Sequence, residues 1–103
     1  MSSHVVFDAK QNGSTEPRVF DYTSQLAVGE TISSAVVTAA VYSGTDASIA
    51  ILSGSPSVSG PRVTQKFTAG VVGVIYKLTC AATTSASNVL VLTAFLAIIP
   101  TVT

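Results

Sequence analysis

GVIYKLTC, Gly73–Cys80, places Val74, Tyr76, Leu78 and Cys80 on alternate positions behind a glycine, with Lys77 and Thr79 between them. Side chains of a β-strand point to opposite faces in turn, so this spacing predicts a strand with one face in the core and one toward solvent. Ala82 continues the inner face. Cys80 is the only cysteine, so no internal disulfide can join two sheets. A lone cysteine on an inward face is expected to act as a small apolar side chain, and its solitude suits folding in a reducing cytosol.

The chain carboxyl-terminal to this strand keeps the same character. TTSASN reads as a turn, and VLVLTAFLAII, Val89–Ile99, as a final strand. Both of its faces are apolar: Leu90, Leu92, Ala94, Leu96 and Ile98 on one, Val89, Val91, Phe95 and Ile99 on the other. One face can pack on an opposing sheet, and the second calls for further cover from the amino-terminal segment, a partner or a change of register.

On the amino-terminal side, RVTQKF, Arg62–Phe67, alternates Val63, Gln65 and Phe67 against Thr64 and Lys66. SGSPSVSGPR holds two glycines and two prolines and leaves room for an edge strand near Ser57–Ser59. A short strand is expected at Ile49–Leu52, and SGTD, Ser43–Asp46, reads as a turn. TISSAVVTAAVY, Thr31–Tyr42, is rich in Val, Ile and Thr without a helical stripe or cap, which predicts a strand despite its alanines. RVFDY, from Arg18, begins the regular part of the chain.

The expected fold is therefore all-β: an immunoglobulin-like antiparallel β-sandwich of six or seven strands. A small barrel is the alternative. Residues 1–17 combine turn formers with a short apolar patch, Val5–Phe7, and are expected to form an extended N-terminal arm, with residues 18–103 as the sandwich domain. Tyr76 is the candidate for the hydrogen bond that tyrosines of such sandwiches make across a corner.

The composition limits function. Only 10% of the 103 residues are charged while 48% are hydrophobic, so a free surface would be thinly clothed. Large open apolar patches are uncommon on isolated proteins, which implies cover by other subunits. Net charge is zero, with Asp8, Glu16, Asp21, Glu30 and Asp46 before residue 50 and Arg62, Lys66 and Lys77 after it. So few and so scattered cations do not make a nucleic-acid surface. The longest apolar run, Val89–Ile99, is too short for a membrane-spanning helix, and MSSHVVFDAK lacks the pattern of a secretory signal.

Catalytic patterns are missing as well. His4 is the single histidine and lies in the expected arm, where nothing would hold the partners of a triad or metal cluster. SGTDAS around Asp46 lacks the acidic groups of a calcium loop, and TAGVVGV lacks the helix and lysine of a phosphate loop. NGS at Asn12 reads as a turn. No catalytic residue, cofactor or metal ligand is expected.

Three longer pieces carry a resemblance: KQNGSTEPRVFDYTSQLAVGETISSA, SGTDAS, and ILSGSPSVSGPRVTQKFTAGVVGVIYKLTCAATTS, followed by the apolar terminal strand. Their order resembles that of small tailed-bacteriophage virion proteins described as fiber-tail adaptor proteins. The third piece is the most specific, with its Leu-Ser-Gly, Val-Thr-Gln and Gly-Val-x-Gly-Val-x-Tyr-x-Leu-Thr order. The resemblance implies a non-enzymatic structural component of the virion, made in the host bacterial cytoplasm, that links tail fibers to the tail or portal region. Relatives of this kind would carry a tryptophan on the Thr31–Tyr42 strand, where this chain has Val36 or Val37.

Partners would be other phage virion proteins, whether tail, portal, fiber or major capsid protein, together with further copies of the chain. Neither nucleic acid nor a membrane is expected as a partner. Alternatives are a capsid decoration, or cement, protein bracing capsomers, and a glycan-binding adhesin module, since sandwiches host many functions. The residues expected at an interface are Val5, Val6, Phe7, Phe20, Tyr22, Val91, Phe95 and Ile99.

Overall fold

The computed structural model describes residues 4–100, with side chains from Phe7 onward. All regular structure among them is β: β1 (His4–Val6), β2 (Lys10–Gln11), β3 (Glu16–Asp21), β4 (Ile32–Ser43), β5 (Leu52–Ser59), β6 (Arg62–Phe67), β7 (Ile75–Thr84) and β8 (Val89–Ile99). They form two sheets. One has the order β1-β8-β7-β4, with β2 also on β8, and the other the order β3-β6-β5.

Alternation in the sequence decides which side chains meet between the sheets. Val74, Tyr76, Leu78, Cys80 and Ala82 are all buried, as are Leu92, Ala94, Leu96 and Ile98 of β8. β7 and β8 pair without a register shift from Ile75↔Ala97 to Thr83↔Val89, so one face of each strand stays inward along the whole ladder. Phe20, Val63 and Phe67 supply the opposing layer, with Tyr22 and Ile51 beside it. On β4, Val37 turns into the core while Val36 is 61% exposed, so Val37 takes the inward position that the tryptophan was expected to fill.

β5 holds the edge strand expected near Ser57–Ser59 within one longer interrupted strand, but of the strand expected at Ile49–Leu52 it contains only Leu52, residues 49–51 being irregular. Its register shifts between Ser53 and Ser57, around Gly54 and Pro56. Gln65, buried opposite the break, donates from Nε2 to the Ser53, Gly54 and Lys66 carbonyls at 3.2, 3.1 and 2.9 Å. A buried amide is tolerable there because the interrupted ladder leaves carbonyls for it to satisfy.

The segment expected to extend as an arm is instead, from His4 on, laid along the domain. β1 pairs parallel with β8 in the register His4↔Thr93 to Val6↔Phe95, and β2 continues with Lys10↔Ile98 and Gln11↔Ile99. Arg18 ties down the link between them by donating to the Asp8 carbonyl at 3.0 Å, and Phe7 packs edge-on against Phe20 at 5.2 Å. These short pairings were not legible as strands, and a boundary between residues 17 and 18 falls inside β3. Residues 1–3 lie outside the described residues.

The turn after β6 presses on the end of β8. Gly70 has φ of +101°, and a Cβ there would stand 2.8 Å from Ile98 Cγ1, so both backbone and space require glycine.

Candidate functional site: an apolar sheet face

The polar chemistry is spent on holding turns. Glu16 accepts from the Ser14 hydroxyl and pairs with Arg18 at 3.1 Å, and these bonds hold its carboxyl below the ordinary range. Asp21 is held low chiefly by Thr23, whose hydroxyl and amide both donate to it. Glu30 is lowered by the Thr84 hydroxyl, the Ala27 amide and the Asn88 side chain. Asp46 accepts from the Ser48 amide and from the Tyr76 hydroxyl at 2.7 Å. Among the described residues no group of three or more His, Cys, Asp or Glu is placed to hold a metal ion.

An open depression of about 290 Å³ lies at one end of the sandwich, lined by Ala27, Val28, Glu30, Ser85 and Asn88 among others. Its carboxylate is already committed to three donors, the Ala27 amide of its own loop and Thr84 and Asn88 from the end of β7 and the turn after it. Cys80 is buried, and burial pushes its thiol above the ordinary value, which disfavours the reactive thiolate.

The two buried tyrosines divide the role expected of one. Tyr76 donates to Asp46 and accepts from the Val71 amide at 3.0 Å, tying two loops at one end. Tyr22, from just beyond β3, donates across the sandwich to the Cys80 carbonyl at 2.7 Å. Desolvation raises the pKa of both phenols, so both remain protonated donors.

What remains available is the outward face of β4, β7 and β8. Alternation places Val36, Thr38, Ala40 and Tyr42 of β4 there, beside Ile75, Lys77, Thr79 and Ala81 of β7 and Val89, Val91, Thr93, Phe95 and Ile99 of β8. The registers Val36↔Ala81 and Ala81↔Val91 draw an apolar row straight across three strands. Tyr42 and Phe95 meet over the sheet as a tilted pair with centroids 4.7 Å apart at 60°. Val91 is 51% exposed and Tyr42 64%. Lys77 is the one charged residue among these outward positions.

The expected interface residues therefore separate. Val91, Phe95 and Ile99 share this face. Phe20 and Tyr22 do not: they are 2% and 0% exposed, because Phe20 of β3 and Tyr22 just beyond it turn toward the core. Phe7 is half-buried against Phe20 and Phe67. Val5 and Val6 lie in β1 on the edge of β8, with side chains outside the described residues. Val36 and Tyr42, absent from the expected set, share this face, and the signal for their outward placement was present in the alternation of Thr31–Tyr42 that marked the strand.

A family model described as "Podophage GP4 fiber-tail adaptor protein gp77" matches residues 10–97, the greater part of the chain. No curated protein and no solved structure matches it.

Proposed function

The chain belongs to the podophage fiber-tail adaptor family, and on that premise we propose that it joins tail fibers to the tail or portal region without catalysing a reaction. The family assignment makes it a structural component of a phage virion. The observation that carries the docking role is the outer face of β4, β7 and β8, apolar from Val36 across Ala81 to Val91 and almost free of charge. Desolvating such a face costs little, and covering it gains about 25 cal/mol per Å² of apolar area removed from water.

The strand order supports an immunoglobulin-type reading of the sandwich. β3-β6-β5 opposes β8-β7-β4, and the first strand joins the last in parallel at the sheet edge. Synthesis in the bacterial cytoplasm followed by assembly into the particle fits a single buried thiol.

The test is a phage carrying Val91→Asp. The isolated variant should melt with the wild type, since Val91 is outside the core, while particles should lose fibers or the protein itself. Full fiber occupancy on the variant particle would count against the docking face. Copy number separates the placements: about six or twelve copies per particle fits a closed ring at the tail, whereas on the order of hundreds fits capsid decoration.

A further inference from the structure

Every sheet edge presents a row of backbone N–H and C=O groups without a ladder partner. Folded proteins keep such rows from recruiting foreign strands by charge, proline, irregularity or cover. Three of the four edges here are protected in these ways. The β8 edge is covered by β1 and β2 along Thr93–Phe95 and Ile98–Ile99. β3 carries Glu16, Pro17, Arg18 and Asp21. β5 is interrupted by Gly54 at φ of +73°, by Pro56 and by its shifted register.

β4 has no charge, proline or irregularity in its middle, and β5, which lies beside it in the other sheet, forms no ladder with it among the described residues. It is 12 residues long, contains no charge and no proline, and pairs on one side only, with β7, among the described residues. Its irregularities fall at Ile32/Ser34 and Val41/Ser43, leaving Ser34–Val41 as a regular run. Ala35, Ala39 and Val41 are only half-buried, unlike the fully buried inner positions of β7.

We propose that two copies of this chain pair edge to edge through β4, antiparallel about a two-fold axis. A second copy fits this edge for a specific reason. In an isologous antiparallel pair related by a two-fold axis the residue on the axis meets its own copy, so a charge there confronts a like charge. β4 carries none from end to end. With Thr38 opposite its copy, Val36 meets Ala40 and Ser34 meets Tyr42 on the outer face, and Val37 meets Ala39 and Ala35 meets Val41 on the inner. The axis then falls near the centre of the regular run. Pairing completes the hydrogen bonding of the open edge, covers the half-buried Ala35, Ala39 and Val41, and extends the Val36–Ala81–Val91 row into the second copy. The inference rests on the edges alone and does not require the adaptor role.

Sedimentation equilibrium of the full chain over a wide concentration range should show a monomer–dimer equilibrium. Thr38→Lys sets two ammonium groups against each other at the axis and should weaken dimerisation by about tenfold or more, with the circular dichroism spectrum unchanged. Ala40→Glu, another exposed outward position, sets a carboxylate against Val36 of the second copy and should weaken pairing as well if the first variant does not fold. Hydrogen exchange should show concentration-dependent protection confined to Ser34–Val41. A wild type that stays monomeric at the highest soluble concentration would overturn the proposal. So would folded variants that dimerise as well as the wild type, or protection that appears only outside β4.

Discussion

Lys10 sits where an ammonium group is least at home: its side chain is fully buried, and Nζ donates to the Gln11 carbonyl at 2.7 Å and the Ala69 carbonyl at 2.9 Å. Burial pulls its pKa below the ordinary 10.5, against the opposing pull of Glu16. The Ala69 bond fastens β2 to the turn after β6, where Ala69 holds φ of +52°, while the Gln11 bond steadies the ammonium within β2 itself. Lys10→Ala removes both bonds and leaves their acceptors unpaired, so denaturant unfolding at neutral pH should show a loss of about 2–4 kcal/mol. A neutral amine retains enough N–H groups for both carbonyls. Since the unfolded chain holds this proton to higher pH, the wild type should gain on the variant as pH rises from the depressed value toward 10.5. A constant difference across that window would remove the linkage.

At the scale of elements, the amino-terminal segment and β8 depend on each other. The sequence shows turn formers and a short apolar patch, which read as an arm because no alternation longer than three residues is present. The structure uses backbone pairing, Phe7 and Lys10 to attach it. Removal of residues 1–11 should therefore expose the β8 edge and uncover Phe20. The truncated chain should melt at a lower temperature than the full chain and aggregate on concentration. Equal melting temperatures and equal solubility would restore the detachable arm. The longer strands were legible because six or more residues of alternation carry their own period: Arg62–Phe67 and Val89–Ile99 are found with the expected bounds. The break in β5 was legible as a proline-rich stretch, but not its repair by Gln65, which lies on another strand.

The whole molecule is an elongated sandwich of 45 × 24 × 21 Å in which three carboxylates accept hydrogen bonds from neighbouring hydroxyls. Glu16, Asp21 and Glu30 all have lowered pKa values, each led by a side-chain hydroxyl bond from Ser14, Thr23 or Thr84. Carboxylates lowered in the folded state contribute stability that is fully present above their unfolded values, 4.5 for Glu and 3.8 for Asp, and lost as pH falls below them. Melting temperature should thus hold steady from neutral pH to about 5 and then fall in acid. Glu30→Gln should flatten that fall; an identical acid profile would show that the loop bonds do not bear on stability.

By itself the sequence determined an all-β chain with its inward positions on β6 and β7, because strand alternation is written in neighbouring residues, whereas which apolar face of β8 turns inward was left to the fold. It also determined that this chain has little charge with which to face water. Tertiary structure alone decided that Phe20 and Tyr22 belong to the core, that the amino-terminal segment closes the β8 edge, and that β4 is left open. Those outcomes depend on which strands become neighbours, and pairing between distant segments is set by the summed packing of the whole core and not by any local pattern.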